Sequence, residues 1–143
     1  MTPDDLKKRT KQFALRILKL VAALPNTVQG RAIANQLVRA GTAVAANYRA
    51  ACRGRSKAEF IPKLGTVEEE ADESAFWMEL IIEGGLLKQQ AVESLLAEAN
   101  ELTKIMARSR ISASRALKQS KSTTGNRDSR VTSNRQSAIG NRQ

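Results

Sequence analysis

The chain has no histidine, one cysteine and few aromatic residues. Without histidine no Ser–His or Cys–His dyad can form. The Glu-x-x-His ligand pair of di-iron bundles is also excluded. The lone Cys52 rules out an internal disulfide and fits a reducing, cytoplasmic setting. With no base to activate it, Cys52 reads as a small residue at the edge of a helical seam. Aromatics make up 3% of the chain, and Ala and Leu are prominent, which favours helices over a β-sandwich. No glycine-rich phosphate loop is present, because Arg53-Gly54-Arg55-Ser56 is short and follows no strand. The apolar run from Ile17 to Leu24 is broken by Lys19, so no membrane span is expected. Asp4 and Asp5 near the N-terminus argue against a signal peptide. Glu69, Glu70, Asp72 and Glu73 point in different directions around a helix, so no metal site is expected. The expectation is a protein that is not an enzyme and needs no cofactor.

What is present is charge, unevenly placed. The 143 residues carry a net charge of +10 and suit one domain. Residues 1–67 hold 13 Lys and Arg against 3 acids, residues 68–106 hold 2 against 10, and residues 107–143 hold 9 against 1. The acidic block can face the basic helices, leaving a basic exterior that attracts polyanions. The plainer reading is that the charge only keeps the protein soluble.

Apolar residues repeat at steps of three and four in four segments, each the seam of a bundle helix. The first runs Leu6, Thr10, Phe13, Ile17, Leu20, Leu24, behind a Thr2-Pro3-Asp4-Asp5 start and before Pro25. The second runs Ile33, Leu37, Ala40, Val44, Tyr48, Ala51, with Gly41 and Ala45 beside it to allow close helix approach. Gly54 is placed to release this helix. Ser56 and Glu59 form a capping box for the third, whose seam is Phe60, Leu64, Val67, Ala71, Ser74, Met78, Ile81 and Gly85. Gly84-Gly85 breaks it. The fourth seam is Val92, Leu95, Leu96, Ala99, Leu102 and Met106, and no good cap marks its start. The fold expected is all-α, an up-down antiparallel four-helix bundle over residues 1–111 with helices near 3–23, 27–52, 57–83 and 90–111. Residues 112–143 lose nearly all apolar side chains and contain an imperfect repeat, Asn126-Arg127-Asp128-Ser129, Asn134-Arg135-Gln136-Ser137 and Asn141-Arg142-Gln143. They read as a disordered basic low-complexity tail.

The carrying motifs of the bundle are Gln36-Leu37-x-Arg39-Ala40, Ala45-Ala46-Asn47-Tyr48, Arg55-Ser56-Lys57-x-Glu59-Phe60, Lys63-Leu64 and Glu69-Glu70-Ala71-Asp72-Glu73 followed by Phe76-Trp77. On these residues the chain, over roughly 6–108, resembles the small bacterial four-helix bundle proteins encoded by intervening sequences of 23S rRNA genes. The resemblance implies an up-down bundle and a homopentameric ring. It also implies a relation to the accessory proteins of diversity-generating retroelements, whose basic pentamer engages RNA and a reverse transcriptase.

Two surfaces follow from the helical arithmetic. Opposite the second seam lie Asn35, Arg39, Thr42, Ala46, Arg49 and Arg53, a stripe with three arginines and no acid. Arg39, Arg49 and Arg53, with Arg55 at the corner and Lys7, Lys8 and Lys11 of the first helix, are the candidate nucleic-acid contacts. The bland reading is a solvated face or one paired with the acidic helix. Phe76 and Leu80, with Trp77 on the flank, point away from the third seam and are the candidate oligomer interface. The functional expectation is an oligomeric RNA-binding or accessory protein. The alternative is a scaffold that binds another protein, such as a reverse transcriptase, with no direct role on nucleic acid.

Overall fold

The computed structural model describes the backbone of residues 1–140 and the side chains of residues 1–122. Four helices account for it: α1 (Pro3–Ala22), α2 (Val28–Arg53), α3 (Lys57–Glu83) and α4 (Gln89–Gly140). Consecutive helices pack side by side, and α1 closes the bundle against α4 through the least extensive of the four interfaces. This is the expected antiparallel four-helix bundle.

Local chemistry sets each boundary. Thr2 and Asp5 form a reciprocal capping box at the start of α1, with Pro3 in its first turn. The Thr27 hydroxyl accepts from the Gly30 amide and caps α2. Gly54 ends α2 in an extended conformation (φ −60°, ψ 144°), so its role is a straight exit and not a left-handed cap. Ser56 then caps α3 through the Glu59 amide, while the Glu59 carboxylate turns back to the Arg55 amide at 2.9 Å. At the far end of α3 the Leu86 amide donates to the Ile81 carbonyl and the Gly85 amide to the Ile82 carbonyl. This is a complete Schellman motif, and Gly85 supplies its positive φ of 68°.

The four seams meet in one core. Phe13, Ile17, Leu37, Val44, Leu64, Val67, Met78, Ile81, Val92, Leu102 and Met106 are buried in it. Thr10 and Ser74 are buried too, and their hydroxyls donate to the carbonyls of Leu6 and Glu70, each at 2.8 Å. Gly41 lies directly against Ile17, where a Cβ would meet Ile17 Cγ1 at 2.6 Å. That glycine sets how closely α1 and α2 approach, and so it shapes whatever groove opens between them.

The fourth helix corrects one expectation. It does not fade near Ile111 but continues to Gly140, so the tail read as disordered over 112–143 is helical over 112–140. A chain with too little apolar surface to nucleate a helix can still propagate one already held in a bundle, because extension avoids the nucleation penalty. Ser112 to Lys121 contain no Pro or Gly, and Ala, Leu, Arg, Lys and Gln are good helix formers. Asn141-Arg142-Gln143, the last unit of the repeat, lies outside the described residues.

Candidate nucleic-acid interface

The antiparallel turn from α1 to α2 brings the first half of α1 level with the second half of α2. There a cleft of about 580 Å³ opens between the two helices. Lys7, Lys8 and Lys11 stand on its α1 wall, and Arg49 and Arg53 on its α2 wall. Thr42, Ala45, Ala46 and Cys52 complete the lining, which contains no acid. Five of the seven residues singled out from the sequence for nucleic-acid contact therefore share one concave surface. Within each wall the cations are spaced by one helical turn, Lys7 to Lys11 and Arg49 to Arg53, or roughly 5–6 Å between Cβ atoms.

Carboxylates elsewhere in the fold leave these cations largely uncommitted. Lys7 pairs with the exposed Asp4 at 3.1 Å within the first turn of α1. Among the described residues, Lys8, Lys11, Arg49 and Arg53 form no ion pair. The half-buried ion pairs serve packing instead. Arg9 on α1 makes a two-pronged contact to Glu98 on α4, at 2.9 and 2.6 Å. Arg110 on α4 reaches Glu68 on α3 at 2.8 Å. Arg9 clamps α1 to α4, and the Arg16 guanidinium adds a hydrogen bond to Ser94.

The floor of the cleft is chemically quiet. The Thr42 hydroxyl donates to the Val38 carbonyl of its own helix at 2.6 Å, and Ala45 and Ala46 offer only methyl groups. Cys52 is half-buried one turn after Tyr48. Burial, followed by the neighbouring Cys52 thiol, raises the Tyr48 phenol well above its usual range, so it stays neutral.

Two of the candidate contacts stand elsewhere. Arg55 lines a neighbouring depression at the corner with Ser56, Lys57 and Phe60, separated from the main cleft by Cys52. Arg39 does not line the cleft. Burial and then Glu73 push the Glu70 carboxyl above the usual carboxylate range, and the charge of Arg39 opposes that shift. On α3 itself, Phe76 is 50% exposed and meets Trp77 edge to face at 5.1 Å. Trp77 packs on the core and its indole N–H donates to Glu73, so it belongs partly to the bundle. Leu80 is half-buried. Leu15 and Leu18 on the outer face of α1 are each 45% exposed, and sequence reasoning passed over them. Their three-residue spacing, off the Phe13–Ile17 seam, was the available signal.

No helix among the described residues is long and apolar enough to cross a membrane, and among them no cluster of potential metal ligands exists. The family model described as 23S rRNA-intervening sequence protein matches residues 5–108. Among solved structures, the chain is similar to a protein of unknown function from the S23 ribosomal protein family of Bacteroides thetaiotaomicron. The two are 31% identical with a TM-score of 0.66, over 73% of this chain and 97% of that one. Curated proteins give no match.

Proposed function

This chain belongs to the 23S rRNA-intervening sequence protein family, and from that premise we propose that it is a non-enzymatic helical bundle that binds nucleic acid, RNA first, through the α1/α2 cleft. One observation carries the reading: Lys7, Lys8, Lys11, Arg49 and Arg53 converge on one cleft that has no acid in its lining. A concave surface of one sign concentrates an oppositely charged chain and speeds its approach. Arginine's planar fork matches pairs of phosphate oxygens. The names of the family and of the structural neighbour both refer to the ribosome or its RNA, which supports RNA as the ligand. The test is fluorescence anisotropy with labelled RNA over a range of salt, comparing the full chain with its Arg49→Ala/Arg53→Ala variant. Each lost phosphate contact should lower the log–log salt slope on single-stranded RNA by about 0.7. Equal slopes would remove the cleft from RNA binding.

A second reading has its own observation. Phe76 stands half-exposed on α3 beside Trp77, an arrangement suited to burial against another protein. On that reading the chain is an assembly scaffold, a homo-oligomer (a pentamer in its fullest form) that also docks a protein such as a reverse transcriptase. The two readings are compatible, since Phe76 and the cleft lie on different helices. A ring would repeat the cleft and add avidity without new contacts.

A further inference from the structure

We infer that the α1/α2 cleft takes a single phosphate chain with its backbone inward and any bases outward, so that it recognises phosphate spacing and not base or sugar. The inference rests on the nucleic-acid reading above and narrows its ligand. Three features of the cleft lead to it.

The first is the layout of charge. Cations stand on both walls at one-turn intervals, Lys7 and Lys11 facing Arg49 and Arg53. A flexible chain lying along the cleft can place successive phosphates against alternate walls. A duplex is too wide to enter a groove between two adjacent helices, and it would meet only the rims.

The second is the floor. Base recognition needs donors and acceptors, or aromatic faces for stacking. On the floor, the Thr42 hydroxyl donates its proton to the Val38 carbonyl, which leaves only its oxygen to accept. Ala45 and Ala46 have nothing to give, and no aromatic side chain lines the cleft. Bases turned inward would find no face to stack on, and they would compete with phosphate for the only strong donors present, the lysines and arginines of the walls. Bases turned outward lose nothing.

The third is size. At about 580 Å³ the cleft falls in the range of small-ligand sites and accommodates a short stretch of one chain.

The magnitude follows from counterion release. Five cations on a single strand give a slope of at most about −3.5, at ~0.7 per phosphate. The exposed basic residues of α4, Arg115, Lys118 and Lys121 among them, add a background slope of their own. The informative quantity is therefore the difference between the full chain and its Arg49→Ala/Arg53→Ala variant. Both side chains are exposed, so helicity should be unchanged by circular dichroism.

The experiment compares the two proteins on four probes of equal phosphate number: single-stranded RNA, single-stranded DNA, an abasic sugar–phosphate strand and duplex RNA. Inorganic polyphosphate serves as competitor. The expected result is that RNA, DNA and abasic strand bind within about threefold of one another and all lose the same slope on substitution. Polyphosphate should displace all three, and duplex should bind more weakly with little dependence on Arg49 and Arg53. If the variant loses slope on RNA but abasic strand binds tenfold or more weakly, the inference falls while the nucleic-acid reading stands. Equal dependence of duplex and single strand on the two arginines overturns it in the same way. If the variant matches the full chain on every probe, both fall together.

Discussion

Replacing Gly41 by Ala should destabilise the bundle, although alanine is the better helix former. Gly41 sits in the middle of α2, where the substitution alone would stabilise a helix by about 1 kcal/mol. Against that stands Ile17. The new methyl would lie 2.6 Å from Ile17 Cγ1, 2.9 Å from Cγ2 and 3.1 Å from Cβ. Ordinary carbon contacts begin near ~3.5 Å, so the overlap approaches 1 Å. These atoms are close to the α1 backbone on a stiff β-branched side chain in the core, so rotation cannot relieve it. The helices must separate, and overpacking of this kind costs typically 1–3 kcal/mol. With an overlap of about 1 Å the cost sits at the upper end, about 2–3 kcal/mol, so the net loss is about 1–2 kcal/mol, read as a lower urea midpoint, with Tm falling by roughly 3 °C per kcal/mol. Protein concentration must be held fixed, because any assembly adds to the apparent stability. A double-mutant cycle locates the cause. Ile17→Ala alone should cost about 2–5 kcal/mol, and the double variant should lose less than the sum by about 1 kcal/mol or more. An unchanged or raised midpoint in Gly41→Ala, or strict additivity with Ile17→Ala, would refute the claim that this glycine sets the α1/α2 distance.

Phe76→Glu should lower the sedimentation mass of the protein towards its chain mass of 15.6 kDa while leaving the helical signal intact; a parent protein that already sediments as a monomer at micromolar concentration refutes this. Glu70→Gln should stabilise the fold at neutral pH. Burial, then Glu73, raises the folded pKa of Glu70, so its stabilising protonation is complete below the unfolded carboxylate range and is lost as pH rises through the folded value. The advantage of Glu70→Gln should therefore shrink on acidification, and a constant difference across pH would contradict the assignment. Arg39→Ala should raise the Glu70 titration further, as followed by carboxyl NMR, since Arg39 is the charge that restrains it.

The bundle was legible because its seams are regular. Leu37, Ala40, Val44, Tyr48 and Ala51 were placed inward by spacing alone, and all five are buried. Caps at Thr2 and Ser56 and the break at Gly84-Gly85 were legible because each rests on local hydrogen bonding. What was less legible depends on neighbours. A stripe drawn opposite the α2 seam treats Arg39, Arg49 and Arg53 as one face. In the bundle a helix flanks α2 on each side, so Arg49 and Arg53 join the α1 lysines while Arg39 answers to Glu70 on α3. The extension of α4 is not legible in composition, which reports whether a segment can fold by itself and not whether it can prolong a helix already formed. Leu15 and Leu18 were missed because attention to the strongest seam hides a second apolar face on the same helix.

The pairing of charges bears on whether the cleft is merely a solvated surface. The chain holds 14 carboxylates, enough to neutralise every cation of the cleft. Where the fold needs an ion pair between helices it makes one at short range, as Arg9 with Glu98 and Arg110 with Glu68 do. Carboxylates are gathered on α3 and α4, and the lysines and arginines of the cleft are gathered between α1 and α2, across the bundle from them. Five like charges around one concavity repel one another, and that repulsion works against the folded state unless counterions or a ligand relieve it. Scattering the same residues over the outer faces of α1 and α2 would keep the protein equally soluble at less electrostatic cost. Solubility alone therefore does not account for their convergence, whereas a bound phosphate chain turns the same repulsion into affinity.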